Sequence, residues 1–342
     1  MKKYHIHMPT VVVLMALSVQ VVADDWRHGS ASFALIGDVP YGAAVETKFD
    51  NVIANINAAP HVRFVLHTGD VKSGSERCDD SLLKKRFDQL QSFEDAVIVT
   101  PGDNDWTDCH RTNNGNYLPT ERLAKFREII YPVAGMTTGE QAFSVRSQAA
   151  MSGFESYVEN MMWSFKGTIM ATVHVVGSNN GLDPWSQIDP ADTYATPRAD
   201  RVAEVQAREA AALAWIDEVF AQAATRKSAG VMIAMQANPN FELPATDVQR
   251  QGYNKLLERI TQHAVAFGKP VLLAHGDSHY FRVDKPLVGP VKPSGNQLVE
   301  NVTRVENFGA QNVHWVEVFV NPRDPNVFRI EPRIVKTNLF AR

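Results

Sequence analysis

The sequence predicts an α/β protein in which strands alternate with helices. Three short apolar segments, 33–36, 64–66 and 97–99, are separated by two segments whose apolar residues recur with helical period. Because strand, helix and strand follow one another at about 30 residues per unit, the strands should be parallel. In such open sheets ligands bind beyond the carboxyl ends of the strands. Candidate site residues are therefore sought at those ends.

The rest of the chain continues the alternation. Buried strands are predicted over 168–176, 231–235 and 271–274, and helices over 199–226 and 248–266.

Two regions depart from this pattern. Apolar and polar residues alternate over 314–320 and 327–330, which predicts antiparallel strands that close a second sheet. A short helix is predicted after Pro119, and residues 132–160 are poorly patterned. We expect an insertion around residues 106–165 that caps the site. No linker divides the chain, so residues 24–342 are predicted to form a single domain.

The composition excludes several classes of protein. Hydrophobic residues make up 44% and charged residues 21%, which rules out disorder, collagen and coiled coil for the whole chain. The formal net charge is −4. Without a basic surplus, a nucleic acid is not expected as a partner.

The first 23 residues have the features of a secretory signal peptide. Lys2 and Lys3 precede the apolar segment 11–22, and Ala23 is a small residue at the expected cleavage point. The apolar segment is shorter than the about 20 residues that span a membrane. We expect a periplasmic or secreted mature chain without a membrane span, and an uncleaved N-terminal anchor is the alternative.

The chain has two cysteines, Cys78 and Cys109. Export and an even number of cysteines favour a disulfide bond. Two buried free thiols are the alternative, because the sequence does not establish that the sulfur atoms meet.

Polar residues follow the ends of the predicted strands. They are Asp38, Asp70, Asp103, Gln236 and Asp277. If the four carboxylates converge, they repel one another unless they are protonated or bridged by a cation. A bound divalent ion would remove the repulsion, and ordinary solvent-facing turns are the alternative.

The order of these motifs resembles the calcineurin-like metallophosphoesterases. The family pattern runs D-x-H, G-D, G-N-H-D/E, a lone His and G-H-x-H. The matching residues here are Asp38, Gly69-Asp70, Gly102-Asp103-Asn104-Asp105, Gln236 and Gly276-Asp277-Ser278-His279. The resemblance covers most of the mature chain. It implies a four-layer α/β/β/α sandwich with mixed central sheets.

Five positions differ from the family pattern. Pro40 stands where D-x-H has its His, and Asp103 stands where the family has a metal-binding Asn. Asn104 replaces the His that assists the leaving group, Gln236 replaces the lone His, and Asp277 replaces the first His of G-H-x-H. We interpret these changes as an oxygen-rich site, and a site that has lost its activity is the alternative.

The resemblance implies which residues would bind metal. One ion would take Asp38, Asp70 and His279; the other would share Asp70 and take Asp103, Gln236 and Asp277. Oxygen ligands suit Mg²⁺, Mn²⁺ or Ca²⁺ better than Zn²⁺. We expect one or two divalent ions per chain, Mn or Mg before Ca or Fe. Tyr41 is either a further ligand or an ordinary turn residue.

The implied chemistry is attack of a metal-activated water on the phosphorus of a small phosphomonoester or phosphodiester. Asn104 occupies the general-acid position, His110 is a candidate proton donor, and Arg111 is a candidate clamp for a phosphate oxygen. Alternatively, His110 and Arg111 only bind loop backbone. Two further alternatives are a metal- or anion-binding protein of this fold with little or no turnover, and a structural envelope protein.

Overall fold

A computed structural model describes residues 31–292 and 295–339, so the predicted signal peptide lies outside the described residues. The helices are α1 (Ala43–Asn57), α2 (Asp80–Leu90), α3 (Pro119–Ile130), the single turn α4 (Gly177–Gly181), α5 (Ala199–Thr225) and α6 (Asn254–Phe267). The strands are β1 (Ala31–Ile36), β2 (Val62–His67), β3 (Ala96–Val99), β4 (Arg146–Ser147), β5 (Met161–Phe165), β6 (Thr168–Thr172), β7 (Val231–Ala234), β8 (Val271–His275), β9 (Arg282–Asp284), β10 (Val288–Lys292), β11 (Gly295–Leu298), β12 (Val302–Glu306), β13 (Trp315–Val320) and β14 (Phe328–Arg333).

The first sheet has the strand order β14-β13-β1-β2-β3. Strands β1, β2 and β3 are parallel, with Leu35 beside Leu66 and Leu66 beside Ile98. The predicted βαβαβ unit is therefore confirmed.

The C-terminal strands were predicted in the wrong sheet. Strand β13 pairs antiparallel with β1 in the first sheet, and β14 pairs with β13. A buried hydrogen bond of 2.6 Å from the Ser32 hydroxyl to Glu317 joins β1 to β13. Alternation predicts antiparallel strands equally well for either sheet, so the pattern alone did not identify the partner strand.

The second sheet has the strand order β4-β5-β6-β7-β8-β12-β9. Strands β6, β7, β8 and β12 are parallel, whereas β4, β5 and β9 are antiparallel to their neighbours. Both large sheets are thus mixed, as expected, and β10 and β11 form a separate hairpin.

The two sheets pack face to face between outer layers of helices. On β6, Met170 belongs to the core between the sheets, while the neighbouring Ile169 packs with the residues of α5 and α6. Trp163 of the second sheet contacts Phe64 of the first, with ring centroids 5.5 Å apart. Helix α1 packs on the first sheet through its buried Phe49 and Ile56. This is the predicted four-layer α/β/β/α sandwich, in which residues alternate between two apolar environments along each strand.

The segment 106–165 contributes to these layers. Phe126 and Ile130 of α3 belong to the core of the first sheet, and β5 pairs with β6 in the second sheet. The expected cap therefore does not include α3 or β5. Among the described residues, no helix combines the length and the apolar character needed to cross a membrane.

A disulfide bond joins Cys78 to Cys109, with Cα atoms 5.8 Å apart. It closes a loop across 31 positions of sequence, and such a bond stabilises a fold by roughly 3–4 kcal/mol in the chain-entropy model. It ties the loop after β2 to the short helical segment Thr107–His110, so two of the loops at the strand ends are held together.

Candidate functional site

The four predicted carboxylates meet at the strand ends. Asp38, Asp70 and Asp103 follow the parallel strands β1, β2 and β3, and Asp277 follows β8 of the second sheet. The backbone N–H of Asp277 donates to both Asp38 carboxylate oxygens, at 3.1 and 3.2 Å. The sheets thus join at one edge of the sandwich. The sequence prediction that these aspartates converge is confirmed.

Hydrogen-bond donors surround the Asp70 carboxylate. Its Oδ2 accepts from the Tyr41 hydroxyl at 2.9 Å, the Asn104 side-chain amide at 2.8 Å and the Gln236 side-chain amide at 3.2 Å. Its Oδ1 accepts from the backbone N–H of Asn104 at 3.0 Å. A carboxylate offers about four lone-pair sites. Three donors of the protein therefore reach Oδ2, and one reaches Oδ1.

Gln236 lies between two carboxylates and turns its nitrogen toward them. Its Nε2 donates to Asp70 Oδ2 at 3.2 Å and to Asp103 Oδ1 at 3.0 Å. Its Oε1 accepts from the backbone N–H of Gly177 at 2.6 Å. A backbone N–H only donates, so this bond fixes the orientation of the amide. Gln236 therefore offers the carboxylates two hydrogens, and its oxygen is directed away from them.

Asp38 is held in a similar way. The Asn307 side-chain amide donates to its Oδ2 at 3.0 Å, and the Nε2 of His279 lies 3.5 Å from its Oδ1. The His279 side chain is about one-third exposed. Burial alone would lower the pKa of His279, but its hydrogen bond to Asp38 and the Asp38 charge raise it above the ordinary value. The His279 ring and the Asn307 amide thus both face the Asp38 carboxylate.

Burial and mutual repulsion raise the pKa values of the other aspartates in the cluster. Burial, followed by the charges of Asp103 and Asp105, raises the pKa of Asp70 well above its ordinary value. Burial and then the Asp103 charge do the same for Asp277. Burial also raises the pKa of Asp103, although the hydroxyl of Ser178, 2.8 Å from its Oδ2, acts in the opposite direction. The cluster is short of positive charge.

Asp105 connects the loops beneath the cluster. Its carboxylate accepts from the backbone N–H groups of Asp70, Val71 and Gly102, at 2.9, 2.9 and 2.8 Å. One side chain therefore satisfies three buried donors on the loops that follow β2 and β3.

His67 supports the same loops from below. Its Nδ1 accepts from the backbone N–H of Gly69 at 3.1 Å, and its Nε2–H donates to the carbonyl of Val39 at 3.0 Å. Burial lowers the pKa of His67 to about 4, so the ring is neutral at pH 7. His67 packs behind the site and does not enter it.

His110 and Arg111 lie beside the cluster. The Arg111 guanidinium pairs with Asp108 at 2.6 Å. Burial, together with the nearby charge of Arg111, lowers the pKa of His110 to about 4, and its Nδ1 has no hydrogen-bond partner in the described part of the chain. At pH 7 His110 is neutral and is not in the form of a cationic acid. The roles of proton donor and phosphate clamp stay predictions.

The arrangement of donors does not fit a bridging divalent ion. Three donors of the protein already reach Asp70 Oδ2, and the Gln236 amide lies between Asp70 and Asp103. Within residues 31–292 and 295–339, no group of three or more His, Cys, Asp or Glu side chains is arranged to hold a metal ion. We therefore derive no chemical step through a metal, and metal binding by the predicted ligands stays a prediction.

Sequence reasoning missed several residues of the site. Asn307 follows β12, and Ser178 lies in the single turn α4, six positions after the end of β6. Polar residues at the ends of neighbouring strands lie close together, and this rule applies to Asn307. The short alternating pattern of β12, however, does not by itself identify a strand. Tyr41, considered as a metal ligand or a turn residue, is a hydrogen-bond donor to Asp70.

No protein-family model matches the chain, and no curated protein sequence matches it. Among solved structures, the chain is similar to GAP50 of Plasmodium, described as the anchor in the inner membrane complex, with 11% identity, a TM-score of 0.42, and coverage of 90% of this chain and 89% of that one. It is similar to the phosphopantetheinyl hydrolase PptH of Mycobacterium tuberculosis, with 12% identity, a TM-score of 0.42, and coverage of 82% and 90%. It is also similar to the purple acid phosphatase PPD1 of yellow lupin, with 8% identity, a TM-score of 0.45, and coverage of 89% of this chain and 53% of that one.

Proposed function

We propose that this chain is an exported binding protein that has a phosphoesterase-type four-layer fold and does not hydrolyse phosphate esters. The observation that carries the proposal is the Gln236 amide, which donates to Asp70 at 3.2 Å and to Asp103 at 3.0 Å. In this position an amide does part of what a cation does for two carboxylates, because its hydrogens carry partial positive charge.

Hydrolysis would need an activated nucleophile and an acid for the leaving group. Asn104 has no acidic proton to give, and its amide is used on Tyr41 and Asp70. His110 is neutral at pH 7 because its pKa is about 4. Neither of these two candidates supplies a proton to a leaving oxygen at neutral pH.

The aspartate cluster then has a structural role. It joins the loops after β1, β2, β3 and β8 through hydrogen bonds from Asn104, Gln236, Asn307 and the backbone of Asp277. Such a fully connected polar network fixes loops in one arrangement. A ligand pocket beside it would keep its shape before the ligand arrives, which lowers the entropic cost of binding.

Export is supported by the disulfide between Cys78 and Cys109, because such bonds persist in oxidising compartments. We propose a periplasmic or extracellular location on this ground and on the predicted signal peptide.

A metal-dependent phosphoesterase that uses Mn²⁺ or Mg²⁺ is the second candidate. The observation that favours it is the raised pKa of Asp70, to which several neighbouring carboxylates contribute, since a divalent ion would relieve that repulsion. This function requires the Gln236 side chain to leave Asp70 and Asp103 when the ion and a small phosphorylated substrate bind.

An assay of hydrolysis separates the two candidates. We expect the purified mature chain not to release nitrophenol from p-nitrophenyl phosphate or from its bis-nitrophenyl diester with Mn²⁺, Mg²⁺ or Ca²⁺, and Asp70→Ala to behave like the wild type. Hydrolysis that Asp70→Ala abolishes and that Asp88→Ala, a change at an exposed position, leaves intact would contradict the proposal.

A further inference from the structure

The single turn α4 winds in the left-handed sense, which L-amino acids normally avoid. Its three central residues, Ser178, Asn179 and Asn180, have φ between 51° and 54° and ψ between 39° and 47°. In this conformation the Cβ atom lies too close to the following carbonyl oxygen, so residues other than glycine adopt it singly and rarely in succession. Such strain persists only where the surroundings hold the backbone, and it marks positions that have a role.

The first half of this left-handed turn contacts the aspartate cluster. The Gly177 N–H is the donor, at 2.6 Å, that fixes the orientation of the Gln236 amide. The Ser178 hydroxyl reaches Asp103 at 2.8 Å and Asp108 at 3.2 Å. A Cβ atom at Gly177 would come within 2.7 Å of Asp103 Oδ2, so the backbone packs directly against that carboxylate. The turn therefore positions two side chains of the cluster at once.

Asn180 and Arg208 hold the other half of the left-handed turn. The Asn180 Nδ2 donates to the carbonyl of Gly252 at 2.9 Å, and its Oδ1 accepts from the Arg208 guanidinium. A second nitrogen of Arg208 donates to the Asn180 carbonyl at 2.9 Å. Arg208 is buried and also pairs with Glu204 of α5 at 2.8 Å. The fork of the guanidinium thus binds both the side chain and the backbone of one strained residue.

Asn179 attaches the middle of the turn to a second segment. Its Nδ2 donates to the carbonyl of Val248 at 2.8 Å, and its Oδ1 accepts from the N–H of Gly252 at 2.9 Å. A Cβ atom at Gly252 would lie 2.2 Å from the Asn179 carbonyl oxygen, so the two backbones are in direct contact. The left-handed turn is therefore held from two sides, by residues 248–252 and by Arg208 of α5.

The two orientations of the Gln236 amide have opposite effects on the cluster. While Gly177 holds Oε1, the hydrogens on Nε2 face Asp70 and Asp103 in the place of a cation. Without the Gly177 N–H, the amide is free to turn over and to present Oε1 beside the two carboxylates. Oxygen atoms of amides and carboxylates are ligands that Mn²⁺ accepts. The left-handed turn thus decides whether Gln236 offers hydrogens or an oxygen to the cluster.

We propose that Arg208 and Asn180 are positioning residues that keep divalent ions out of the aspartate cluster. They hold the left-handed turn, the turn places the Gly177 N–H, and this N–H directs the Gln236 oxygen away from the carboxylates. Within the described part of the chain, neither residue is hydrogen-bonded to a predicted metal ligand, so both act through the turn. The inference rests on the proposed function, because it explains how a phosphoesterase-type site stays without metal.

Replacing Asn180 by alanine and by glycine separates backbone strain from the loss of hydrogen bonds. Both changes remove the same side-chain amide, and both leave Asn179 bonded to Val248 and Gly252. Alanine disfavours the left-handed conformation, whereas glycine adopts it at no steric cost. We expect Asn180→Ala to bind Mn²⁺ about tenfold more tightly than the wild type, because one hydrogen bond no longer opposes rotation of the Gln236 amide. Asn180→Gly should match the wild type.

Mn²⁺ alone is the probe, and electron paramagnetic resonance of the full mature chain measures its binding, because the sharp signal of the hydrated ion disappears when the ion binds. Asp70→Ala added to Asn180→Ala should abolish the gain, which separates this site from surface carboxylates. Arg208→Ala should resemble Asn180→Ala. Arg304→Ala is its matched control, because Arg304 is equally buried and pairs with Asp284 and Glu242 instead. The control should not gain Mn²⁺ binding.

The Asn180 pair decides the matter even if Arg208→Ala does not fold. The inference is overturned if Asn180→Ala and Asn180→Gly bind Mn²⁺ equally, or if the wild type binds it as tightly as Asn180→Ala. It is also overturned if the gain survives the addition of Asp70→Ala. A structural loss of hydrogen bonds alone would affect both Asn180 variants alike, so it does not produce the expected difference.

The assay of hydrolysis distinguishes this inference from the proposed function. Hydrolysis of p-nitrophenyl phosphate by the wild type would remove the proposed function, and tighter Mn²⁺ binding by Asn180→Ala than by Asn180→Gly and by the wild type would still support the role of the turn. Equal Mn²⁺ binding by the two variants without any hydrolysis would remove only the inference about the turn.

Discussion

Gln236→Glu should destabilise the protein by roughly 3–5 kcal/mol at pH 8, because it places an uncompensated charge in a buried site. The Gly177 N–H keeps one oxygen of the new side chain at the position of Oε1. The other oxygen then replaces Nε2 and faces Asp70 and Asp103, so two attractive contacts become repulsive ones. Urea unfolding measures the loss.

Divalent ions and acid should both rescue this variant. Three carboxylates at one point form an oxygen site for Mn²⁺ or Mg²⁺, so either ion should raise the melting temperature of Gln236→Glu. Burial and like charges raise the pKa of the introduced carboxyl, so the folded state binds more protons than the unfolded state above about pH 4.3. The stability of the variant should therefore fall as the pH rises and recover as the pH is lowered toward that value.

Gln148→Glu is the matched control. Gln148 is fully buried and is hydrogen-bonded to the Ala211 carbonyl and to Asn160. This change also buries a charge and should destabilise the protein, but without other carboxylates to complete a site Mn²⁺ should not restore it. If the ion stabilises both variants equally, or neither, then the Gln236 amide does not occupy the place of a cation.

Asp105→Ala should be the second large effect, with a loss of roughly 3–9 kcal/mol in the free energy of unfolding. The change leaves the backbone N–H groups of Asp70, Val71 and Gly102 without their acceptor, and each buried donor left unpaired costs about 1–3 kcal/mol. The Asp88→Ala variant, at an exposed position of α2, should stay within about 0.5 kcal/mol of the wild type. A loss below about 1 kcal/mol for Asp105→Ala would contradict the role assigned to this carboxylate.

The sequence predicted the aspartate cluster because the rule for it is local. Each acid follows an apolar segment, and parallel strands bring their carboxyl ends to one edge of the sheet. The same rule located Gln236 at the end of β7. It did not predict the orientation of the amide, which depends on the backbone N–H of Gly177, 59 positions away.

Contacts between residues that are distant in sequence explain why the sheet of β13 and the packing of α3 differ from the predictions. The strand β13 has an alternating pattern that suits either sheet, and only its packing against β1, with Glu317 beside Ala34, decides between them. The helix α3 has a regular apolar face, but the irregular residues around it concealed that Phe126 and Ile130 belong to the main core. A pattern within about ten residues identifies a helix or a strand. Which other elements it packs against depends on contacts with distant residues, and a local pattern does not show these.

The central claim is that amide and hydroxyl donors, rather than metal ions, hold the aspartates together. The most direct measurement is the metal content and thermal unfolding of the purified mature chain, with a chelator and with added Mn²⁺. An ion held by this cluster would stabilise the fold by about 2.7 kcal/mol when supplied at a hundredfold its Kd. We predict no stoichiometric metal and one melting temperature in both conditions. A full equivalent of bound metal, with a melting temperature that falls when the chelator removes it, would contradict the account.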